Sequence, residues 1–561
     1  MSTECIPIAT LPHTTKLFRD YLAMGDSDAS SSLRQWYGAE PLGSGWMKPP
    51  AVSLHAAALA DALEAQSLSF GAGEATLANI TKLRTGARAV VTGQQVVLLG
   101  GPLLTLLKAA SAVARANQAT ALTGVEHVPI FWLATEDHDL EEVDQVSLLS
   151  KSAVETLHLA AEHAPNTTPM GNVVLAETID ALLDQASELL HHAHICDLLR
   201  ECYAYQPANT GSTFATAIAR LMTRLFAEYG LIVMDAAGRD FHAMGASTLR
   251  YAIEHAEELE TALLERSSEL VAGGYHAQVL VKPGASLLFL ISEVDGIRNR
   301  QVLHRQPGGS WTAGAGSSAT SYSTAELLAI MDAAPERLSP NALLRAVFQD
   351  TILPTTAYVG GPSEVAYFAQ SAVIYQRILG RITPILPRFS ATLIEPAIGA
   401  VMAQHEVSLT DAMGSSEDLS LRLAARALPI EAKRRLAEAG NALDEALAAA
   451  QEVLAALDPS LARSAEVSAS KMRYQMDRLR RLAATTEMQR EASLRKHAEA
   501  IALHLFPNAH LQERALAGVW FLAAWESAHG PTPDSALGAG LIARLVEESA
   551  AQSANHLVIT L

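Results

Sequence analysis

Val90-Val91-Thr92-Gly93-Gln94-Gln95 runs on to Gly100-Gly101-Pro102, and Phe131-Trp132-Leu133-Ala134-Thr135-Glu136-Asp137-His138-Asp139 closes the unit that it opens. An apolar strand empties into a glycine-bearing loop. A helix follows from Pro102 to Asn117, and a second strand, Val128 to Ala134, ends in carboxylates and one imidazole. Pro102 suits the first helical position, where a missing N–H costs nothing. The pattern spells a βαβ unit with its chemistry at the carboxyl end of the strands, where open α/β sheets hold ligands.

A second block of similar design starts at Ser339-Pro340-Asn341, a helix-start signal, and passes through the strand Thr356 to Val359. It turns at Gly360-Gly361-Pro362 into a helix reaching Leu379. Helical pattern also covers Leu54 to Leu83, and a helix from Gly211 to Tyr229 precedes the strand Leu231 to Met234, which ends at Asp235. Val279-Leu280-Val281 and Leu287 to Ile291, ahead of Asp295-Gly296, predict a small antiparallel insertion.

From Glu417 to Ala502 the chain turns to Ala, Leu, Glu, Arg and Lys. Leu436, Leu443, Ala450 and Leu457 recur every seven residues, with Ala439, Ala446 and Val453 on the companion position, as a coiled-coil seam requires. Asp458-Pro459 breaks that helix, and a second, with Met472, Met476, Leu479 and Leu482 on one face, is expected to return antiparallel. The expected organisation is an α/β core over 1–395 with an insertion around 270–330, a helical coiled coil over 396–510, and a segment, 511–561, that docks back on the core.

At 561 residues the chain exceeds what one hydrophobic core usually supports. A formal charge of −19 argues against a protein that coats nucleic acid, which needs a basic field. The arginine-rich face around Arg480 therefore reads as solvated. No apolar run of about eighteen residues free of charge appears, and the start of the chain, with Glu4, shows no secretory pattern. Three cysteines without paired spacing suit a reducing compartment, so a cytoplasmic protein with no membrane contact is expected.

Gly93 and Gly101 stand where a loop needs positive φ or close backbone approach, and two readings compete: a pocket for a phosphate or carboxylate, or a structural turn. The spacing meets neither standard nucleotide fingerprint. Gln94 and Gln95 either bind a ligand or face water, and Lys108 reads as solvated or snorkelling rather than as a phosphate clamp. Glu136, Asp137, His138 and Asp139 are the sharper signal. His138 suits proton transfer from an attacking amine, while the carboxylates would hold an amino group or Mg2+. One histidine among hard oxygens matches no closed zinc set, so no resident metal site is expected. Asn341, Arg345 and Gln349 share one helical face, which lines a pocket or meets solvent. Tyr358, Glu364 and Tyr367 flank the second glycine pair as sugar or ribose contacts or as core residues. Arg388 is a candidate partner for an anion.

The phrases T-G-Q-Q from Thr92, G-P-L-L-T-L-L-K-A from Gly101, F-W-L-A-T-E-D-H-D from Phe131, A-Y-V-G-G-P-S-E-V-A-Y-F-A-Q from Ala357, P-R-F-S-A-T-L-I-E from Pro387 and L-Q-E-R from Leu511 are collinear along the chain. With the opening L-P-H-T-T-K-L-F-R-D-Y-L from Leu11, they resemble the bacillithiol-biosynthesis cysteine-adding family, BshC. The sequence departs from that pattern at Gly100 and Leu104, where threonine and tyrosine are expected, and at Asp144-Gln145 in place of Asn-His.

The resemblance implies a Rossmann-like parallel-sheet core with connecting insertions, similar to class I aminoacyl-tRNA synthetases, and an antiparallel coiled coil that pairs subunits into a homodimer. It implies addition of cysteine to glucosaminyl-malate. A free carboxylate is a poor electrophile, so ATP or a related nucleotide is the expected activator, through an adenylate or an acyl phosphate. Thr92, Gly93, Gln94, Gln95 and Gly101 would then meet the anionic group, and Glu136, Asp137, His138 and Asp139 the amine. Asn341, Arg345, Tyr358, Gly360, Gly361, Glu364 and Arg388 would complete the pocket. Two other classes stay open on sequence: a nucleotidyl-transferring or RNA-modifying synthetase relative, and a coiled-coil scaffold without catalysis.

Overall fold

The computed structural model describes residues 4–25, 31–48, 55–159, 167–205, 212–294, 297–314, 319–530, 539–551 and 554–561. Residues 26–30, 54, 211 and 295–296, which figure in the sequence reading as a loop, two helix starts and a turn, lie outside them.

Five strands form the central sheet: β1 (Arg88–Gln94), β2 (His127–Leu133), β3 (Ile232–Asp235), β4 (Thr355–Gly360) and β5 (Ile385–Pro387). All pair in parallel, in the order β3-β2-β1-β4-β5. The strands are buried on both faces, as a parallel sheet covered by helices requires. Alternation sends Ile130 and Trp132 into one hydrophobic core and Phe131 and Leu133 into the other, so a single strand nails both layers together.

The chain leaves β1, turns, and enters α1 (Leu104–Thr123), whose small and apolar residues let it lie deep against the sheet until Gly124 ends it in a left-handed cap. On the other side of β1, α2 (Ala342–Ile352) leads into β4, and α3 (Pro362–Leu379) leads out of it. The order thus reverses direction between β1 and β4. Such a reversal leaves a crevice at the carboxyl ends of the two strands, because their outgoing connections part to opposite faces.

The insertion is larger than its sequence suggested. Ala285–Val294, Ile297–Arg305, Trp311–Ala313, Thr320–Tyr322 and Leu338–Pro340 build a five-stranded antiparallel sheet. Val279-Leu280-Val281, expected as a strand, is not one. Its alternation instead serves a clamp in which Gln370 both accepts from the Val279 N–H and donates to the Val279 carbonyl. The helical pattern from Leu54 to Leu83 divides into Ala56–Ser69 and Glu74–Arg84 at a glycine turn, Gly71 having positive φ.

Two long helices, α4 (Ile430–Leu457) and α5 (Leu461–Arg490), form the hairpin read from the heptads. The companion positions shift by one residue. Gly440 and Leu447 are buried on α4, and Ala465, Ala469 and Ala484 on α5, while Val453, Leu457, Met472, Leu479 and Leu482 stay exposed. Apart from Leu447, these buried positions are glycine or alanine. A short sheet of Glu4–Pro7, Asn555–Thr560 and Ala391–Ile394 then ties both ends of the chain to the segment leaving the core. Among the described residues no helix is long and apolar enough to cross a membrane.

Candidate active site

The reversal between β1 and β4 opens into a cavity of about 470 Å³, lined by Gly93, Gln94 and Gln95 on one lip and Gly361, Ser363 and Glu364 on the other. Gly93 lies inside β1, and a Cβ there would stand 2.7 Å from the Trp132 carbonyl oxygen of β2. Close approach of neighbouring backbone, rather than positive φ, is what demands glycine. Gly93→Ala is expected to wedge β1 from β2 and cost about 1–3 kcal/mol, the range for overpacking, read as a lower thermal midpoint.

Lys108 overturns its sequence reading. About one turn into α1 it is only 4% exposed, and Nζ donates to the Gly93 carbonyl at 2.8 Å and to Gln94 Oε1 at 2.9 Å. Its ion partner is Glu364 Oε2 at 2.6 Å. Burial pushes the Lys108 pKa down against the pull of Glu364. Burial also opposes the charge of Glu364, but Lys108 and the Gly361 N–H, which donates at 2.7 Å, hold its carboxyl below the ordinary range. The lysine therefore stitches the two lips of the crevice. The local signal was a single cation on a helix face that is otherwise apolar.

Arg345 from α2 reaches the same cavity and donates to the Tyr367 hydroxyl at 2.8 Å. Burial works against its charge, yet Tyr367, Tyr358 and Glu364 keep its pKa above the usual value. Tyr358 donates to Glu364 Oε1 at 2.7 Å. Arg388 lines the wall and is held by Glu513, a buried carboxylate whose pKa falls to about 2 because Arg388 outweighs the cost of burial. Glu513 and Arg514, from the L-Q-E-R phrase, also line a third cavity of about 360 Å³ against the N-terminal residues Leu11 to Thr15.

Of the acidic tetrad, Asp137 borders the crevice directly. Gln95 Nε2 donates to Asp137 Oδ2 at 3.1 Å and to Glu142 Oε2 at 2.8 Å, bridging the glycine turn to the carboxylates. Asp137 lines both the switch-point cavity and a second compartment of about 360 Å³. Trp132, Ala134, Val279 and Arg345 form the rest of the shared wall, and Glu136, His138 and Asn341 line the second compartment. Glu136 pairs with the fully buried His242 at 3.1 Å, and that contact overcomes burial to raise the imidazole's pKa. Asp235, at the end of β3, is pushed up by burial although Thr135 donates to it.

Some sequence candidates fall elsewhere. Thr92 is buried and donates to the Val359 carbonyl at 2.8 Å, fastening β1 to β4 rather than touching the cavity. Gly101 has φ 72° and packs on Val97, and its carbonyl accepts from the Gly518 N–H. It supports a turn outside the cavity lining. Gly360 ends β4 behind the lining, and Asp139 is exposed away from both compartments. Asn341 spends its side-chain oxygen capping α2 yet lines the second compartment with Arg345, while Gln349 is fully buried against Asp350, so the stripe keeps two of its three members. Leu104 places an apolar side chain in the cavity where the resemblance implies a tyrosine. Among the described residues no three or more His, Cys, Asp or Glu side chains are grouped to hold a metal ion.

A doubly wound parallel sheet with a polar crevice at its reversal defines an α/β enzyme of Rossmann type. The models for the N-terminal Rossmann-like domain and the C-terminal coiled-coil domain of bacillithiol biosynthesis BshC match residues 1–389 and 391–561, and the chain belongs to that family of ligases. A relative from Koribacter versatilis named "Putative cysteine ligase BshC" is 42% identical, covering 94% of this chain and 96% of its own. One of the same name from Solibacter usitatus is 33% identical over 93% and 95%. A crystal structure described as a "putative arginyl tRNA synthetase" from Campylobacter jejuni aligns at 10% identity over 88% of this chain and 95% of its own, with a TM-score of 0.23, too loose a superposition to bear on the fold.

Proposed function

We propose that this ligase joins the carboxyl group of L-cysteine to the amine of glucosaminyl-malate, completing bacillithiol in the cytoplasm. The observation that carries the reading is the shared wall at Asp137 and Arg345. It joins a compartment lined by Lys108, Arg345, Arg388 and Arg514 to one that holds Glu136, Asp137 and His138 together with Arg300, so an anionic acyl donor on the arginines and an amine acceptor on Asp137 meet at one boundary.

Arg345, Arg388 and Arg514, with the charge of Lys108 behind them, supply a donor set that fits a carboxylate or the phosphates of ATP with its Mg2+. When bound, the nucleotide supplies activation of the cysteine carboxylate. The protein's part is positioning: Gln94, Gln95 and the Gly361 turn hold the acyl side, and Asp137 receives the amine. Holding both reactants in register is worth roughly 7–11 kcal/mol of barrier in favourable cases. The exposed Leu457, Met472, Leu479 and Leu482 support pairing of two copies through the hairpin.

The test is direct. Purified protein incubated with cysteine, glucosaminyl-malate, ATP and Mg2+ is expected to form bacillithiol by mass spectrometry, with AMP or ADP reporting the mode of activation. Sedimentation of the same preparation is expected to give a dimer, and charge substitutions at Met472 and Leu479 a monomer. Turnover of neither substrate under these conditions would exclude the reading.

A further inference from the structure

His138 has two ring nitrogens, and the insertion has claimed one of them. Arg300, on the strand Ile297–Arg305, brings Nη1 to 3.1 Å from His138 Nδ1. Its Nη2 donates to the Pro340 carbonyl at 3.1 Å, and its Nε to Ser339 Oγ at 3.2 Å. The guanidinium lies over the Phe289 ring, 3.6 Å from its centroid, and the same ring packs on the imidazole at 5.8 Å between centroids. Arg300 is buried and held in three directions, so it cannot swing away from the histidine. A guanidinium has donors only. The Nδ1 that faces it must offer its lone pair, and a neutral imidazole that accepts at Nδ1 carries its proton on Nε2.

We propose that Arg300 fixes His138 as the neutral, Nε2-protonated ring, and that His138 donates a hydrogen bond to the reacting acyl oxygen instead of serving as the base. The donor role rests on the ligase reading above. The groups facing the ring agree with it. Asp137, whose Oδ1 is 3.9 Å from Nδ1, and Asp139 favour the cation from the ring's own segment. Burial and Arg300 oppose it and prevail, holding the imidazole below its ordinary pKa, with Arg345 a further cation lining the same compartment and Glu136 already committed to His242.

In the step itself the amine nitrogen attacks the activated cysteinyl carbon, and a C–N bond forms as the carbonyl π pair moves onto oxygen, where the Nε2–H donates. The pair then returns, and the C–O bond to the phosphate-bearing leaving group breaks, its electrons leaving with that group. The amine proton passes to Asp137, the carboxylate that faces both compartments. His138 loses no proton. Arg300 is a positioning residue that acts through it.

An alanine variant alone does not separate the roles, because a lost oxyanion donor lowers the rate by about 10² to 10³ and a lost base by about 10² to 10⁴. A side chain that donates but takes up no proton does. H138Q is expected to keep kcat within about tenfold of wild type while H138A falls by about 10² to 10³. Nitrogen NMR of the full-length protein labelled at histidine, with the His138 signal assigned by its loss in H138Q, is expected to show a protonated Nε2 and a bare Nδ1 near neutral pH. R300Q is expected to mix the two tautomers and lower kcat at unchanged KM for cysteine, and R300K, which can still donate to Nδ1, to restore part of both. A proton on Nδ1 in the wild type, or H138Q as slow as H138A, overturns the proposal. A wild-type protein that forms no amide from cysteine removes the donor role together with the ligase reading, while the ring signal still decides whether Arg300 sets the tautomer.

Discussion

Lys108→Met is expected to lower folding stability by about 3–5 kcal/mol and to abolish ligation, because it strands a buried carboxylate. Glu364 would keep its contacts to the Tyr358 hydroxyl and the Gly361 N–H but lose the cation at 2.6 Å. The Gly93 carbonyl and Gln94 Oε1 would lose their donor as well, so both lips of the crevice would be released. A double variant, Lys108→Met with Glu364→Gln, should recover part of the stability, since the buried carboxylate is neutralised although Arg345 loses Glu364 as a counter-charge, but none of the activity. Urea midpoints and product formation measured on the same samples separate the two effects. A single variant within about 1 kcal/mol of wild type, the usual worth of an exposed pair, would show that the lysine is solvated after all.

The second large effect concerns pH. His556 is fully buried, with Nδ1 on Ser390 Oγ and Nε2 on Thr392 Oγ1, both at 2.8 Å. Burial above all, with Arg388, holds its pKa at about 4 against the pull of Glu513. The folded value lies below the unfolded one of about 6.5. The stabilisation is therefore complete above about 6.5 and is lost as pH falls toward 4, by about 2–4 kcal/mol in all. Glu513, held at about 2, acts in the same sense at lower pH: its contribution is full above the unfolded value of about 4.3 and disappears as pH falls through the folded one. Denaturation midpoints of wild type and His556→Gln across this range should converge as the medium becomes acidic. Parallel curves would place the titration elsewhere. Because Ser390 and Glu513 also restrain Arg388, activity should decline over the same interval.

Local patterns carried the sheet and both glycine turns into view. The strand ending at Gln94, the helix behind Pro102 and the strand ending at Leu133 each have a periodicity of their own, and so do Thr355–Gly360 and Pro362–Leu379. The acidic tetrad was visible because four polar residues after an apolar strand have no role in a core. Contacts between distant segments left no such trace. Arg300 sits in an ordinary hairpin strand, and nothing near it in sequence announces that it turns down onto His138. Lys108 was misread because a lone lysine on a helix is usually solvated, and only the arrival of Glu364 from beyond β4 makes burial tolerable. The heptad seam moved by one position, from Ala439 and Ala446 to Gly440 and Leu447, and a side chain at Gly440 would collide with Arg480 of the facing helix. Thr92 and Gly101 lie within the right phrases but serve the walls of the site rather than its interior.

The ligase reading requires that the two glycine turns be the lips of one substrate crevice, with Asp137 beside the first of them. A crystal structure of the protein with cysteine and glucosaminyl-malate tests it most directly. Density is expected between Gln95 and Glu364, with an anionic group on Arg345 and an amine within hydrogen-bond distance of Asp137. Substrate bound elsewhere, with the space between β1 and β4 filled only by solvent, would contradict it.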